Sequence, residues 1–303
     1  MAGGDTTTQA TPLSQTTSPP AAQAAGWSAL QALLEDAGGV VVAFSGGVDS
    51  TLLLAASRIA LGNRVLAVTA LSETYPKEEA EGAERLAGSL GVAHRFVVSE
   101  ELDLPEFAHN PRNRCYYCKK ELFSKLVEVA VSEGLACVVD GSNLDDQGDH
   151  RPGAQAASEL AVRSPLRDAG LTKDDIRALS RWLELPTWDK PSFACLSSRF
   201  PYGTAITRER VGRVGTAERE LRGLGFTQLR LRYHGDVGRL EVLSDQFALL
   251  LHPGMAERVV AIVKEAGFVY VTFDLQGYRT GSMNEAPDVE LPTPERIAAE
   301  VGA

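Results

Sequence analysis

The chain has only four cysteines in 303 residues, and residues 1–25 lack the basic start and apolar block of a secretory signal. Both shortages argue against a disulfide-stapled secreted scaffold and for a reducing, cytoplasmic setting, where paired cysteines more often bind metal or do chemistry. No apolar run approaches the roughly 18 residues that a membrane helix needs, so no membrane partner is expected. Positive charge is in deficit: 30 Lys and Arg stand against 40 Asp and Glu, a net charge of -10. That balance argues against broad nucleic-acid binding but leaves room for a local basic pocket. No internal repeat is visible, and no second C-x2-C follows the first.

The chain is instead long enough for two domains. With 44 % hydrophobic and 23 % charged residues its composition is that of a globular protein. Apolar runs suited to buried parallel strands alternate with helical spacing: Val40 onward, Arg64 to Leu71, His94 to Val98 and Ala136 to Asp140 are read as strands. Helices are expected over Trp27 to Ala37, Thr51 to Ala60, Pro76 to Leu90 and Tyr117 to Glu133. The pattern predicts an α/β fold with a doubly wound parallel sheet, its ligands at the carboxyl ends of the strands. A smaller αββαβ domain follows. It begins with a helix over Thr207 to Leu224, and His234-Gly-Asp-Val signals a hairpin. The expected division is a disordered tail (1–25), a nucleotide-binding domain (26–187), a Pro-rich linker and active-site loop (188–206), the small domain (207–283) and a C-terminal tail (284–303).

The centre of this scheme is Val40-Val-Val-Ala-Phe-Ser-Gly-Gly-Val-Asp-Ser-Thr51. A strand, a tight turn and a helix start in succession aim backbone N–H groups and a positive helix end at one spot, which suits phosphate. Gly46 and Gly47 admit an anion without a Cβ in the way; Ser45, Ser50 and Thr51 add hydroxyls. Asp49 reads as a magnesium ligand or as the helix cap. The loop has no Walker lysine. Ser72, after the second strand, is either a nucleotide contact or a turn residue. The acidic stretch Asp140 to Gly153 either is solvated or holds magnesium.

Two stretches carry thiols. Cys115 and Cys118 form a C-x2-C pair at a helix start beside Arg114, Lys119 and Lys120, all of which favour thiolate. A redox disulfide, a zinc site and an iron–sulfur site remain open for it. Cys137 lies inside a valine-rich strand and reads as apolar filler. Cys195 sits in KPSFACLSSRFPYG, with Ser197, Ser198 and Arg199 just beyond it. It is either a free structural cysteine or a reactive thiol whose neighbours hold an anionic substrate. Arg230 and Arg232 alternate on one side of a strand, and Arg279 follows the last strand.

SGGVDS resembles the PP-loop of the ATP pyrophosphatases. Together with NPRNRCYYCKKELF, DGSNLDDQGDHRPG, KPSFACLSSRFPYGTAIT and LRLRYHGDVGRLEV, it makes residues 27–284 resemble the LarE family, the sulfur-inserting enzymes of nickel-pincer nucleotide assembly. The resemblance implies ATP and Mg2+ at Ala43, Ser45, Gly46, Gly47, Val48, Asp49, Ser50 and Ser72. It implies adenylation of pyridinium-3,5-biscarboxylic acid mononucleotide, then sulfur transfer. The sulfur comes from a sacrificed Cys195, or from a [4Fe-4S] cluster on Cys115, Cys118 and Cys195. The C-x2-C pair, which the single-cysteine members lack, favours the cluster. Ser198, Arg199, Glu220, Arg232 and Arg279 are the implied substrate contacts. A sulfide source or sulfur-relay protein is an expected partner, and self-association is expected. A tRNA-thiolating enzyme and a non-catalytic, ATP-gated iron–sulfur protein are the rival readings.

Overall fold

A computed structural model describes residues 18–148, 152–191, 194–279, 281 and 282. Most of the expected N-terminal tail, Asp149 to Arg151, Ser192, Phe193, Thr280 and the C-terminal tail lie outside the described residues. The strands are β1 (Val40–Ala43), β2 (Val65–Leu71), β3 (Ala93–Val98), β4 (Cys137–Val139), β5 (Leu229–His234), β6 (Val237–Val242) and β7 (Tyr270–Phe273). The helices are α1 (Ala24–Ala37), α2 (Val48–Leu61), α3 (Lys77–Ser89), α4 (Pro105–Ala108), α5 (Arg114–Ser132) and α6 (Pro152–Glu159). Then follow α7 (Pro165–Asp168), α8 (Lys173–Trp182), α9 (Arg208–Arg222), α10 (Phe247–Leu250) and α11 (Met255–Glu265). Two compact units divide them. Among the described residues, one holds those from 18 to 71, 77 to 99 and 118 to 191; the other holds 72–76, 100–117 and those from 194 onward.

The first unit is a parallel sheet in the order β3-β2-β1-β4. β1 is central because valines on both faces find partners. Val40 and Val42 join one core with Leu30, Leu34, Leu52 and Ile176, whereas Val41 joins another with Val138, Phe123 and Leu126. Successive strand residues point to opposite faces, so an unbroken valine run is what a strand covered on both sides requires. α2 buries Leu52, Leu53 and Leu54 completely, each contributing about 1.5–3 kcal/mol. After β1 the chain steps outward to β2 and β3, then returns to the other side of β1 for β4. The direction of winding therefore reverses between β1 and β4, and a ligand crevice opens at their carboxyl ends. The parallel α/β sheet is as expected.

The second unit contains the sheet β5-β6-β7. β5 and β6 are antiparallel, joined at Gly235 and Asp236, and β7 returns parallel to β6 after α11. Gly235 takes φ +64° at that turn, a conformation glycine adopts without strain. Leu229 and Leu231 are buried in β5, and so are Arg230 and Arg232. No single helix among the described residues is long and apolar enough to cross a membrane.

Candidate active site

The SGGVDS loop leaves β1 at Phe44 and enters α2 at Val48. Gly47, extended at φ -83°, is the N-cap, and no side chain caps the helix. Asp49 is thus not the cap but the second residue of α2. The first-turn N–H groups of a helix have no intrahelical partner, and the helix dipole adds positive potential there, so the loop can receive an anion. Ser50 Oγ ties the loop to itself: it accepts from Ser45 N at 3.3 Å, lies 3.2 Å from Ser45 Oγ and donates to Gly47 O at 3.3 Å. Val48 is a core residue and Ala43 is half-buried, so at these two positions the backbone is what a nucleotide can meet.

Gly46 is required twice over. Its φ is +62°, and a Cβ there would come within 3.3 Å of Ala83 Cα. The left-handed conformation costs an L residue about 1–2 kcal/mol. Gly46→Ala is therefore expected to weaken ATP binding on the order of tenfold while leaving the fold intact, as titration calorimetry alongside a thermal melt would record. Gly141 allows the chain leaving β4 to pass close to α2, since a Cβ there would lie 3.1 Å from Ser50 N.

The lysines absent from the loop arrive from elsewhere in the same unit. Lys173 Nζ, at the start of α8, donates to Asp49 Oδ2 at 2.5 Å, and Asn143 Nδ2 donates to Asp49 Oδ1 at 3.3 Å. Lys190 Nζ donates to Gly46 O at 3.1 Å and to Glu79 Oε2 at 2.8 Å. Lys190 opens the KPSFACLSSRFPYG stretch, but nothing in either lysine's neighbours ties it to the loop. Their only sequence signal is that a PP-loop without its own lysine has to find counter-charge somewhere.

The described part of the acidic loop after β4 is tied up in hydrogen bonds. Asp140 accepts from Ser142 N, Ser142 Oγ and Ser164 Oγ. Asp145 Oδ2 accepts from Lys173 N at 2.7 Å, and Asp146 Oδ2 from Asn143 N at 3.0 Å. These carboxylates order the loop. Among the described residues no three His, Cys, Asp or Glu side chains are grouped to hold a metal.

α5 begins at Arg114 rather than Tyr117, so Cys115 and Cys118 lie three residues apart on one helix, on neighbouring positions of its surface. Cys115 is exposed and Cys118 half-buried; Cys195 is exposed, and none of the three is in a disulfide. Cys137 is half-buried in β4, where burial pushes its thiol pKa up against the pull of Arg163. In the second unit, Cys195 opens a short 3-10 helix, Leu196–Arg199. Its carbonyl accepts from Ser198 Oγ at 2.9 Å and from Arg199 Nη1 at 3.0 Å. The segments around Cys115 and Cys195 are knitted together nearby. Asn110 Nδ2 donates to Pro201 O at 2.7 Å and Thr204 O at 3.0 Å, while its Oδ1 accepts from Arg114 Nη1 at 2.7 Å.

Several predicted contacts are engaged inside the protein. Ser72 Oγ donates to the buried Glu101 carboxylate, with Thr74 Oγ1 joining at 2.7 Å. Arg199 is fully buried. Its Nε and Nη2 donate to Glu218 Oε1 and Oε2, both at 2.8 Å. Its Nη1 reaches Ala194 O, Cys195 O and Ser198 Oγ at 2.7, 3.0 and 2.8 Å. Each nitrogen already donates within the protein, and two of these bonds end on the carbonyls of the cysteine segment. Glu220 is exposed on α9; the acid that meets the arginines is Glu218, two residues earlier on the buried face.

Arg230, Arg232 and Arg199 are buried against Glu218 and Glu241. Arg232 Nη1 donates to Ser198 O at 2.9 Å, and Nη2 to Glu241 Oε2 at 2.7 Å and Ser282 Oγ at 3.0 Å. Its Nε is buried without a hydrogen-bond partner, a costly state for a charged donor. Burial, reinforced by the nearby Arg199 charge, pushes the Arg230 pKa down to about 10, so it remains a cation at neutral pH. Its guanidinium lies 5.0 Å from the Tyr278 ring centre, within cation–π range. Arg279 Nη1 donates to Gly277 O at 3.4 Å.

A family profile described as asparagine synthase matches residues 28–116, the span that carries the loop. An uncharacterized protein of Synechocystis sp. is 43 % identical over 244 residues, 80 % of this chain and 91 % of its own. A tRNA(Ile)-lysidine synthase of Methylobacterium nodulans is 29 % identical over 207 residues, 64 % of this chain and 58 % of its own. The pyridinium-3,5-bisthiocarboxylic acid mononucleotide synthase of Lactiplantibacillus plantarum is 40 % identical over 257 residues, 84 % of this chain and 92 % of its own. With a PP-loop at the sheet's switch point and this match along almost the whole of both chains, the protein belongs to the LarE family and is an ATP-dependent enzyme.

Proposed function

We propose that this chain adenylates the carboxylates of pyridinium-3,5-biscarboxylic acid mononucleotide and converts them to thiocarboxylates. The observation that carries this reading is the 40 % identity with a synthase named for a bisthiocarboxylic acid product. In the reaction a substrate carboxylate oxygen attacks the α-phosphorus of ATP, and the α,β-bridging P–O bond breaks. The SGGVDS amides receive the departing pyrophosphate, and Lys173 and Lys190 supply cationic charge beside it. Mg2+ fits at Asp49 once Lys173 turns to the phosphates, because an oxygen-rich carboxylate and phosphate set is what that ion takes. The acyl-adenylate now carries AMP, a far better leaving group than oxide. Arg232, Arg279 and Ser198, with Arg230 beside them, are the proposed holders of the mononucleotide phosphate; the unpartnered Arg232 Nε is the kind of donor that a phosphate oxygen satisfies.

The sulfur has two routes to the acyl carbon. In one, the Cys195 thiolate displaces AMP to form a thioester; a base removes the Cα proton and the Cβ–S bond breaks. That leaves thiocarboxylate on the product and dehydroalanine at 195. In the other, Cys115, Cys118 and Cys195 would hold a [4Fe-4S] cluster, which would supply sulfide to the acyl carbon as AMP departs. Three cysteines outside any disulfide, two of them three residues apart on one helix, are a donor set of the right chemistry for that cluster. We favour the cluster on the strength of the C-x2-C pair, with a sulfide source or relay protein to reload it. Two carboxylates require two rounds.

The test supplies ATP with either the mononucleotide or bulk tRNA, using protein reconstituted anaerobically with iron and sulfide. Sulfur should replace oxygen in the mononucleotide, and tRNA should stay unchanged; sulfur in tRNA would overturn the reading. About four irons per chain, lost in Cys115→Ser/Cys118→Ser, are expected for a [4Fe-4S] site. A colourless protein that still transfers sulfur, with hydrogen sulfide lost from its intact mass, would assign the donor to Cys195 instead.

A further inference from the structure

We infer that Glu79 is an internal competitor of pyrophosphate: it holds Lys190 while the loop is empty and takes it back when pyrophosphate leaves. The inference rests on reading SGGVDS as a pyrophosphate cradle. Glu79 and Ala83 are four residues apart on α3 and so share one of its faces. That face underlies the loop, for Ala83 is the residue that a Cβ at Gly46 would strike. Lys190 Nζ spans the two, 2.8 Å from Glu79 Oε2 and 3.1 Å from Gly46 O. The ammonium therefore already sits on the loop's own backbone, restrained by a carboxylate that belongs to neither the loop nor α2.

The pair is suited to being broken and remade. Its side chains are 32 % and 27 % exposed, and a lysine on a flexible stem can turn without moving the backbone. A half-exposed pair contributes little stability, so a polyanion can take the lysine from it. The exchange leaves Glu79 hydrated rather than buried and bare. Once adenylation is complete, the same carboxylate competes for the lysine against pyrophosphate, which lowers product affinity and favours release. Lys173 and Asp49 form a similar pair on the other side of the loop, but Asp49 is part of the loop motif and has a metal to receive. Glu79 has no such role.

The test is titration calorimetry of the full chain with inorganic pyrophosphate, with Mg·ATP as control. Glu79→Gln should bind pyrophosphate about fivefold more tightly and Lys190→Met about tenfold more weakly, where tenfold corresponds to 1.4 kcal/mol. In the Lys190→Met background the gain from Glu79→Gln should largely vanish. Unchanged or weaker pyrophosphate binding by Glu79→Gln, with Mg·ATP still bound, would overturn the competitor role alone. A full gain in the Lys190→Met background would also overturn it, because Glu79 would then act by plain repulsion. A wild-type chain that binds neither pyrophosphate nor ATP would overturn the cradle itself.

Discussion

Cys195→Ala should lower thiocarboxylate formation by more than about a thousandfold while pyrophosphate is still released in the presence of ATP and the mononucleotide. Both proposed sulfur routes need the thiol, as donor or as cluster ligand, whereas the proposed adenylation takes place at the SGGVDS loop. The substitution is structurally mild, since the residue is exposed and its hydrogen bonds from Ser198 and Arg199 end on the backbone carbonyl. A folded Cys195→Ala protein that continues to make thiocarboxylate at the wild-type rate would remove residue 195 from the chemistry. Loss of pyrophosphate release together with sulfur transfer would instead show that the thiol supports activation.

Glu218→Ala should be the most destabilising of the substitutions considered. Glu218 is fully buried and takes both forks of the Arg199 guanidinium, the Leu231 amide at 2.9 Å and Arg222 Nη2 at 2.8 Å. Removing the carboxylate strands the buried Arg199 charge, at a cost of about 3–5 kcal/mol, a fall in melting temperature of roughly 10 °C for a chain of this size. The effect has a pH signature. Burial alone would raise the Glu218 pKa, but the Arg199 charge and its hydrogen bonds prevail and hold it below the usual range. A depressed folded pKa contributes stability above the unfolded value of about 4.3, and that contribution is lost as pH falls through the folded value. The gap between wild type and Glu218→Ala should therefore be full at pH 7 and narrow in acid below pH 4. An equal gap at both pH values, or none at pH 7, would count against this account.

The sheet and its loop were legible because their signal is local. Val40 to Val42 are apolar in an unbroken run, and Gly46 and Gly47 follow at once. Lys173 and Lys190 were not legible as loop residues, since each reaches its partner across more than a hundred positions of chain and a lone lysine has no pattern. Burial misled the reading in β5 and beyond Cys195. Arg199, Arg230 and Arg232 look like solvated or ligand-gripping side chains on spacing alone, yet all three are buried. Only their contacts show that Arg199 is spent on Glu218 and on the backbone. The sequence points to Glu220, whereas the acid that meets the arginines is Glu218; the difference is helical phase, since two residues rotate a side chain about 200° around the axis, from the buried face of α9 to the exposed one.

Arg199 grips the chain at the carbonyls of residues 194 and 195, a hold that does not need the sulfur. If turnover consumes that sulfur, the clamp outlives it. The exhausted molecule would then keep the outline of a fresh one, and quality-control systems that sense unfolded chains would have no reason to remove it.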